Sequence, residues 1–254
     1  MKKMTSTLSL AAAVTLAMAT LAAPAAFAQT EPAAATPDNV ISYNAAITSD
    51  YRYRGLSQTR LKPALQGGVD FVNNPTGFYV GAWASTIKWT NDFGGGGNVE
   101  IDVYAGKRGE ITKGVTYDVG ALAYWYPEND LNPNANTFEV YGQVGFGPAY
   151  VKYSHSTTNL FGTSNSKGSG YLDIGANIEL MTGLTLNLHA GRQNVNHNDV
   201  YTYNDYKIGV TKDVGSGAMV SLAAVKTNTE AYLSPVNGKN LGKSGVVLSI
   251  SKTF

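Results

Sequence analysis

The sequence predicts an all-β fold, a transmembrane up-and-down antiparallel β-barrel of about 12 strands. Three observations carry that prediction. Apolar and polar residues alternate with period two in successive segments of about ten residues, the signature of strands with two unlike faces. The connections between segments mostly alternate between long and short, as they do when one barrel end carries turns and the other carries loops. The chain then closes on Gly245 to Phe254, which places Val246, Leu248, Ile250 and Phe254 on one face and stops on an aromatic. A strand that seals a barrel at a membrane interface can end this way.

The N-terminal residues read as an export signal. Lys2 and Lys3 precede the apolar run Leu8 to Leu21, and Ala26-Phe27-Ala28 is an Ala-x-Ala cleavage site. The run is too short for a membrane-spanning helix, which needs ~20 residues. Residues 1–28 are therefore expected to be a signal peptide, 29–39 a disordered Ala- and Pro-rich leader, and 40–254 the barrel. The expected location is a bacterial outer membrane. The chain holds 28 Gly, 16 Tyr and no Cys. Without cysteine there is no disulfide framework, thiolate metal site or thiol nucleophile. Losing Lys2 and Lys3 with the leader takes 19 Lys+Arg to 17 against 18 Asp+Glu, which gives no support to nucleic-acid binding.

Each segment follows the same logic. The first, Val40 to Arg54, sets Ile41, Tyr43, Ala45, Ile47, Tyr51 and Tyr53 opposite Ser42, Asn44, Asp50, Arg52 and Arg54. In the second, Leu65, Val69 and Phe71 oppose Gln66 and Asp70; the third carries Tyr79, Trp83, Ile87 and Trp89 on one face. Val99, Ile101 and Val103 then alternate with Glu100 and Asp102, and Val115 to Trp125 alternate with Asp118 and Tyr124. Phe138 and Val140 oppose Glu139, and after Gly147-Pro148 Val151 and Tyr153 oppose Lys152. Leu172, Ile174 and Ile178 oppose Asp173 and Glu179, Leu184, Leu186, Leu188 and Ala190 oppose His189, and Tyr206 and Ile208 oppose Asp205 and Lys207. Ala218 to Lys226 is mixed, and Gly245 to Phe254 is the closing strand.

A secreted soluble sandwich would alternate in the same way. The membrane reading is favoured by aromatics near strand ends (Tyr51, Tyr53, Trp89, Trp125, Tyr153, Phe254) and by a polar face that mixes both charge signs with amides and glycine. Val40 to Thr59, Lys152 to Gly162, Gly170 to Asp173, Asp205 to Lys207 and the ending Val246 to Phe254 together resemble the TorF family of outer-membrane porins. His155 stands where that pattern leads one to expect a second aromatic. The resemblance implies a pore in the outer membrane and supplies neither substrate nor binding residues.

Candidate chemistry is sparse. His155, His189 and His197 have no clustered metal-ligand spacing, so structural or loop roles are favoured. His155-Ser156-Thr157 invites comparison with barrel phospholipases, but Ser156 falls on the opposite face and no Gly-rich elbow accompanies it. Gly94 to Gly97 lacks the Lys-Ser/Thr of a phosphate loop. The charged residues of the polar phase are the expected pore lining: Asp50, Arg52, Arg54, Asp70, Glu100, Asp102, Asp118, Glu139, Lys152, Asp173, Glu179, Asp205 and Lys207. Arg52 and Arg54 beside Asp50 are the expected constriction near the outer mouth. Val246, Leu248, Ile250 and Phe254 are the expected assembly signal. The function expected is passive diffusion of small polar solutes, without enzyme activity, cofactor or metal. A lipid-modifying barrel enzyme and a structural or adhesive barrel acting through its loops are the alternatives. Expected partners are outer-membrane lipid, lipopolysaccharide and the barrel-assembly machinery.

Overall fold

The computed structural model describes residues 37–254, so the expected signal peptide and most of the expected leader lie outside the described residues. Twelve strands close on themselves: β1 (Asn39–Thr48), β4 (Ala64–Asn73), β5 (Phe78–Thr86), β6 (Val99–Thr112), β7 (Val115–Trp125), β8 (Thr137–Phe146), β9 (Ala149–Ser156), β10 (Gly170–Met181), β11 (Leu184–Asn194), β12 (Tyr203–Gly215), β13 (Ala218–Thr227) and β14 (Gly245–Thr253). Each pairs antiparallel with its sequence neighbour, and β1 seals the barrel against β14 through Asn44↔Thr253 to Thr48↔Ser249. Closure leaves no edge strand, so every ladder group can be paired away from water. The connections alternate strictly. Tight turns at 74–77, 113–114, 147–148, 182–183 and 216–217 share one end, and the longer loops lie at the other.

The first strand is shorter than its sequence pattern. It ends at Thr48, and Asp50, Arg52 and Arg54 belong to a separate hairpin, β2 (Arg52–Tyr53) and β3 (Leu56–Ser57). The cause is local. Asp50 accepts from Ser57 Oγ and Arg52 Nε, both at 2.5 Å, and Gln58 N donates to Tyr51 O at 2.8 Å. Arg54 and Gly55 take φ of 45° and 78°, a two-residue turn of the twisted kind that hairpins favour. Alternation therefore continues through the turn while the chain leaves the wall.

The two faces separate cleanly by chemistry. Ile41, Val103, Val140, Ile174, Ile208 and Leu248 point outward and are exposed, together with most of the large aliphatics of the strands. Every Asp and Glu of the barrel strands takes the inward phase fixed by the register. The outward phase carries charge only toward the strand ends, at Lys107, Lys212 and Lys252 near the turns and Arg192 and Lys226 near the loops. This placement leaves the middle of the outer face apolar.

The aromatic belt differs from expectation in membership. Trp125, Tyr153 and Phe254 are exposed on the outside, where Phe78, Phe138, Phe146 and Tyr206 join them. Tyr51 and Tyr53 instead point into the barrel on the hairpin, and Trp89 lies in the short helix α1 (Trp89–Asp92) of the following loop. Inside the barrel, tyrosine rings lie flat across glycines on the next strand. Tyr104 covers Gly81 and Tyr79 covers Gly106, and a Cβ at either glycine would collide with the ring.

Candidate functional site

The inserted hairpin organises the lumen. Arg54 at its tip reaches across the barrel, donating through Nη2 to Glu139 Oε2 on β8 at 2.6 Å and through Nη1 to Gln193 Oε1 on β11 at 2.7 Å. Its guanidinium carbon lies 4.3 Å from the ring centre of Tyr171 and 4.8 Å from that of Tyr53. Tyr203 donates its hydroxyl to the Arg54 carbonyl at 2.9 Å. Tyr53 and Tyr124 hydroxyls meet at 2.5 Å, and both rings pack edge-on against Phe161 of the β9–β10 loop.

At the hairpin base, Arg52 Nη1 donates to the carbonyls of Gly55, Leu241 and Lys243 at 3.0, 3.0 and 3.1 Å. That ties the insert to the loop between β13 and β14. Asp50 and Arg52 are thereby consumed in holding the hairpin, and Arg54 alone of the three extends into the lumen.

Two spaces flank the tip. A vestibule of about 510 Å³ lies among the long loops, bounded by Trp89, Phe93, Leu131, Tyr201 and Tyr232. A second cavity of about 150 Å³ lies deeper, bounded by Asp102, Lys152, Asp173, His189, Asp205 and Lys207 among others. Tyr53 and Arg54 line both spaces, so the hairpin tip is the partition between them.

Around these spaces the remaining charged positions fall into two groups. On β9–β12, His189 Nδ1 stands 2.8 Å from Asp173 and Nε2 stands 2.7 Å from Asp205. Tyr171 donates to Asp205 at 2.8 Å, and register pairs Lys152 with Asp173 and Lys207 with His189. On β6–β8, Tyr51 donates to Glu100 at 2.8 Å and Tyr124 lies 3.3 Å from Glu139. Asp102 Oδ1 is buried and accepts no hydrogen bond among the described residues. Nearer the turns, Tyr79 donates to Asp118 at 2.6 Å and Tyr104 to Asp70 at 2.5 Å, while Glu179 stands exposed on the inward phase.

Sequence reasoning missed His189, Gln193 and Tyr171 as partners. His189 is diagonal to Asp173 and Asp205, which both pair in register with Gly191 from the two adjacent strands, and alternation does not supply register. The phospholipase-like pair does not assemble. His155 sits on the outward phase, whereas Ser156 is fully buried and donates to Thr158 O at 2.9 Å. Among the described residues no cluster of His, Asp and Glu has the arrangement of a metal site.

These features define a closed twelve-strand β-barrel with an apolar exterior, a charged interior and an inserted first loop. The chain belongs to Gcw_chp, a family described as bacterial proteins of unknown function, whose model matches residues 31–254. The family model carries no TorF description, and the porin-like fold is the part of the TorF resemblance that the comparisons support. No curated protein matches the chain. Among solved structures it is similar to a KdgM porin at TM-score 0.53 and 6% identity, covering 84% of this chain and 97% of that one. It is similar to a NanC porin at TM-score 0.53 and 9% identity, covering 85% and 99%. A KdgM porin in complex with disordered oligogalacturonate matches at TM-score 0.52 and 6% identity, covering 84% and 97%. At such identities the likeness concerns the fold.

Proposed function

We propose that this protein is an outer-membrane channel for passive diffusion of small polar solutes, with the hairpin tip as its constriction. The observation that carries the reading is the pair of spaces, one among the loops and one within the barrel, that share Tyr53 and Arg54 of the hairpin tip as lining. A polar, charged inner wall within an apolar outer wall is the arrangement that lets water and solutes pass while lipid is excluded. The inward charges, from Asp70 at the turn side to Asp205 near the loops, set the field a solute meets. No reaction is assigned: among the described residues the hydroxyl beside His189 is that of Tyr171, which donates to Asp205.

In this reading the chain is exported through residues 1–28, contacts lipid and lipopolysaccharide, and is inserted by the barrel-assembly machinery. The exposed face of Val246, Leu248, Ile250 and Phe254 serves as the assembly signal. Deleting Phe254 is expected to lower the folded yield in the outer membrane, measured as heat-modifiable protein in membrane fractions; an unchanged yield would remove that role. The channel itself is tested by refolding the mature protein into planar bilayers. Discrete conductance steps are expected, and their absence in several salts rejects the channel.

A further inference from the structure

The lumen carries charge of one prevailing sign. On the barrel strands, Asp70, Glu100, Asp102, Glu110, Asp118, Glu139, Asp173, Glu179, Asp205 and Asp213 take the inward phase, against Arg108, Lys152, Lys207 and the imidazole of His189. The hairpin adds Arg54, while Asp50 and Arg52 neutralise one another. The remaining strand cations take the outward phase. An excess of inward carboxylates in a narrow, low-dielectric passage concentrates cations and repels polyanions.

One carboxylate in this set is placed to bind. Asp102 is 4% exposed, its Oδ1 accepts no hydrogen bond among the described residues, and it lines the inner cavity directly beneath the partition. A buried acceptor left without a donor costs about 1–3 kcal/mol, more when charged, and an incoming N–H donor would recover that. Its cross-strand neighbours on β5 and β7 are Trp83 and Tyr124, and Tyr53 and Tyr124 line the same cavity. Aromatic faces beside a carboxylate suit an organic cation. The barrel already holds one such head group in this region: the Arg54 guanidinium, gripped by Glu139, Gln193 and the Tyr171 ring. A cavity of about 150 Å³ has room for a head group and a short chain, since an engineered cavity of that size admits benzene.

We propose that the lumen selects cations and that Asp102 binds the ammonium or guanidinium head of a small organic cation beneath the Tyr53–Arg54 partition. The transport part of this rests on the channel reading; the binding part does not. An acidic oligosaccharide of the kind bound by the KdgM neighbour is excluded as a permeant.

The test uses the mature protein refolded in detergent, with methylguanidinium as probe and calorimetry as readout. Saturable binding is expected, weakened at least tenfold in Asp102→Asn and restored in part in Asp102→Glu, each variant first shown folded by its heat-modifiable band. Absence of saturable binding to the unsubstituted protein, or equal binding by Asp102→Asn, overturns the site. In bilayers under a KCl gradient, the reversal potential is expected to take the sign of cation preference, with no block by oligogalacturonate. Conductance steps with anion preference overturn cation selection while leaving a channel. No steps at all reject the channel, and with it cation selection, and the calorimetry then decides the Asp102 site alone.

Discussion

The two walls of the lumen bury charge by different means. On β9–β12 the sequence supplies both signs: Asp173 and Asp205 close on the two nitrogens of His189, with Lys152 and Lys207 on adjoining strands. On the loop side of β6–β8 it supplies Glu100, Asp102 and Glu139, and the cation that pairs with Glu139 comes from the hairpin, as Arg54; the wall's own Arg108 lies nearer the turns, beside Asp118. A wall that neutralises itself needs nothing from the loops. The other wall depends on the inserted hairpin, and that dependence accounts for where its tip crosses the lumen, within reach of Glu139. A lumen built as two self-sufficient walls would leave the hairpin no electrostatic reason to enter.

The largest effect should follow from removing the element that joins the two walls. Tyr53→Ala with Arg54→Ala should merge vestibule and cavity and raise single-channel conductance severalfold; unchanged conductance would mean that the limiting passage lies elsewhere. Next comes Glu139→Gln, which leaves the Arg54 guanidinium buried without a carboxylate. Side chains exposed by only 6% and 2% make this a buried pair, and breaking one typically costs about 3–5 kcal/mol. A lowered unfolding midpoint in detergent should be accompanied by faster protease cleavage within residues 49–63.

His189→Gln probes the self-sufficient wall. It keeps hydrogen-bonding capacity but removes the possible imidazolium charge between Asp173 and Asp205. A smaller loss of about 1–3 kcal/mol is expected, with conductance altered less than by the tip variant. If His189→Gln opened the channel more than Arg54→Ala, the contrast between the walls would collapse. Smallest is Arg60→Ala. Arg60 pairs with Asp92 of α1 on the loop side, and the bond to that carboxylate raises its pKa. Because the guanidinium is solvated, the unfolding midpoint should stay within measurement error.

Much of the barrel was legible because period two is a local property. Ile41 and Ser42 announce opposite faces without reference to any other strand, and the turn residues divide the segments in the same local way. The pattern did not single out Arg108, which register pairs with Asp118 on the inward phase. Two further things escaped it. Strand β1 ends at Thr48 because Asp50 finds Ser57 and Arg52, and a hairpin preserves alternation while changing direction. The grouping of His189 with Asp173 and Asp205 depends on register across β10, β11 and β12, which is fixed by pairing over the whole sheet. Arg54 combined both difficulties. Its inward side was readable, but its reach to Glu139 required knowing that it had left the wall.

The flat tyrosines over Gly81 and Gly106 bear on how the barrel finds its alignment. A slip of two residues between β5 and β6 keeps apolar residues outside and polar residues inside, so hydrophobicity does not oppose it. Such a slip would carry Tyr104 or Tyr79 off its glycine and set the ring against a neighbour's side chain instead. Ring and vacancy thus act as a key and its slot, rejecting an error that the oily-and-wet pattern accepts. The abundance of tyrosine and glycine then becomes a record of assembly as much as of the finished wall.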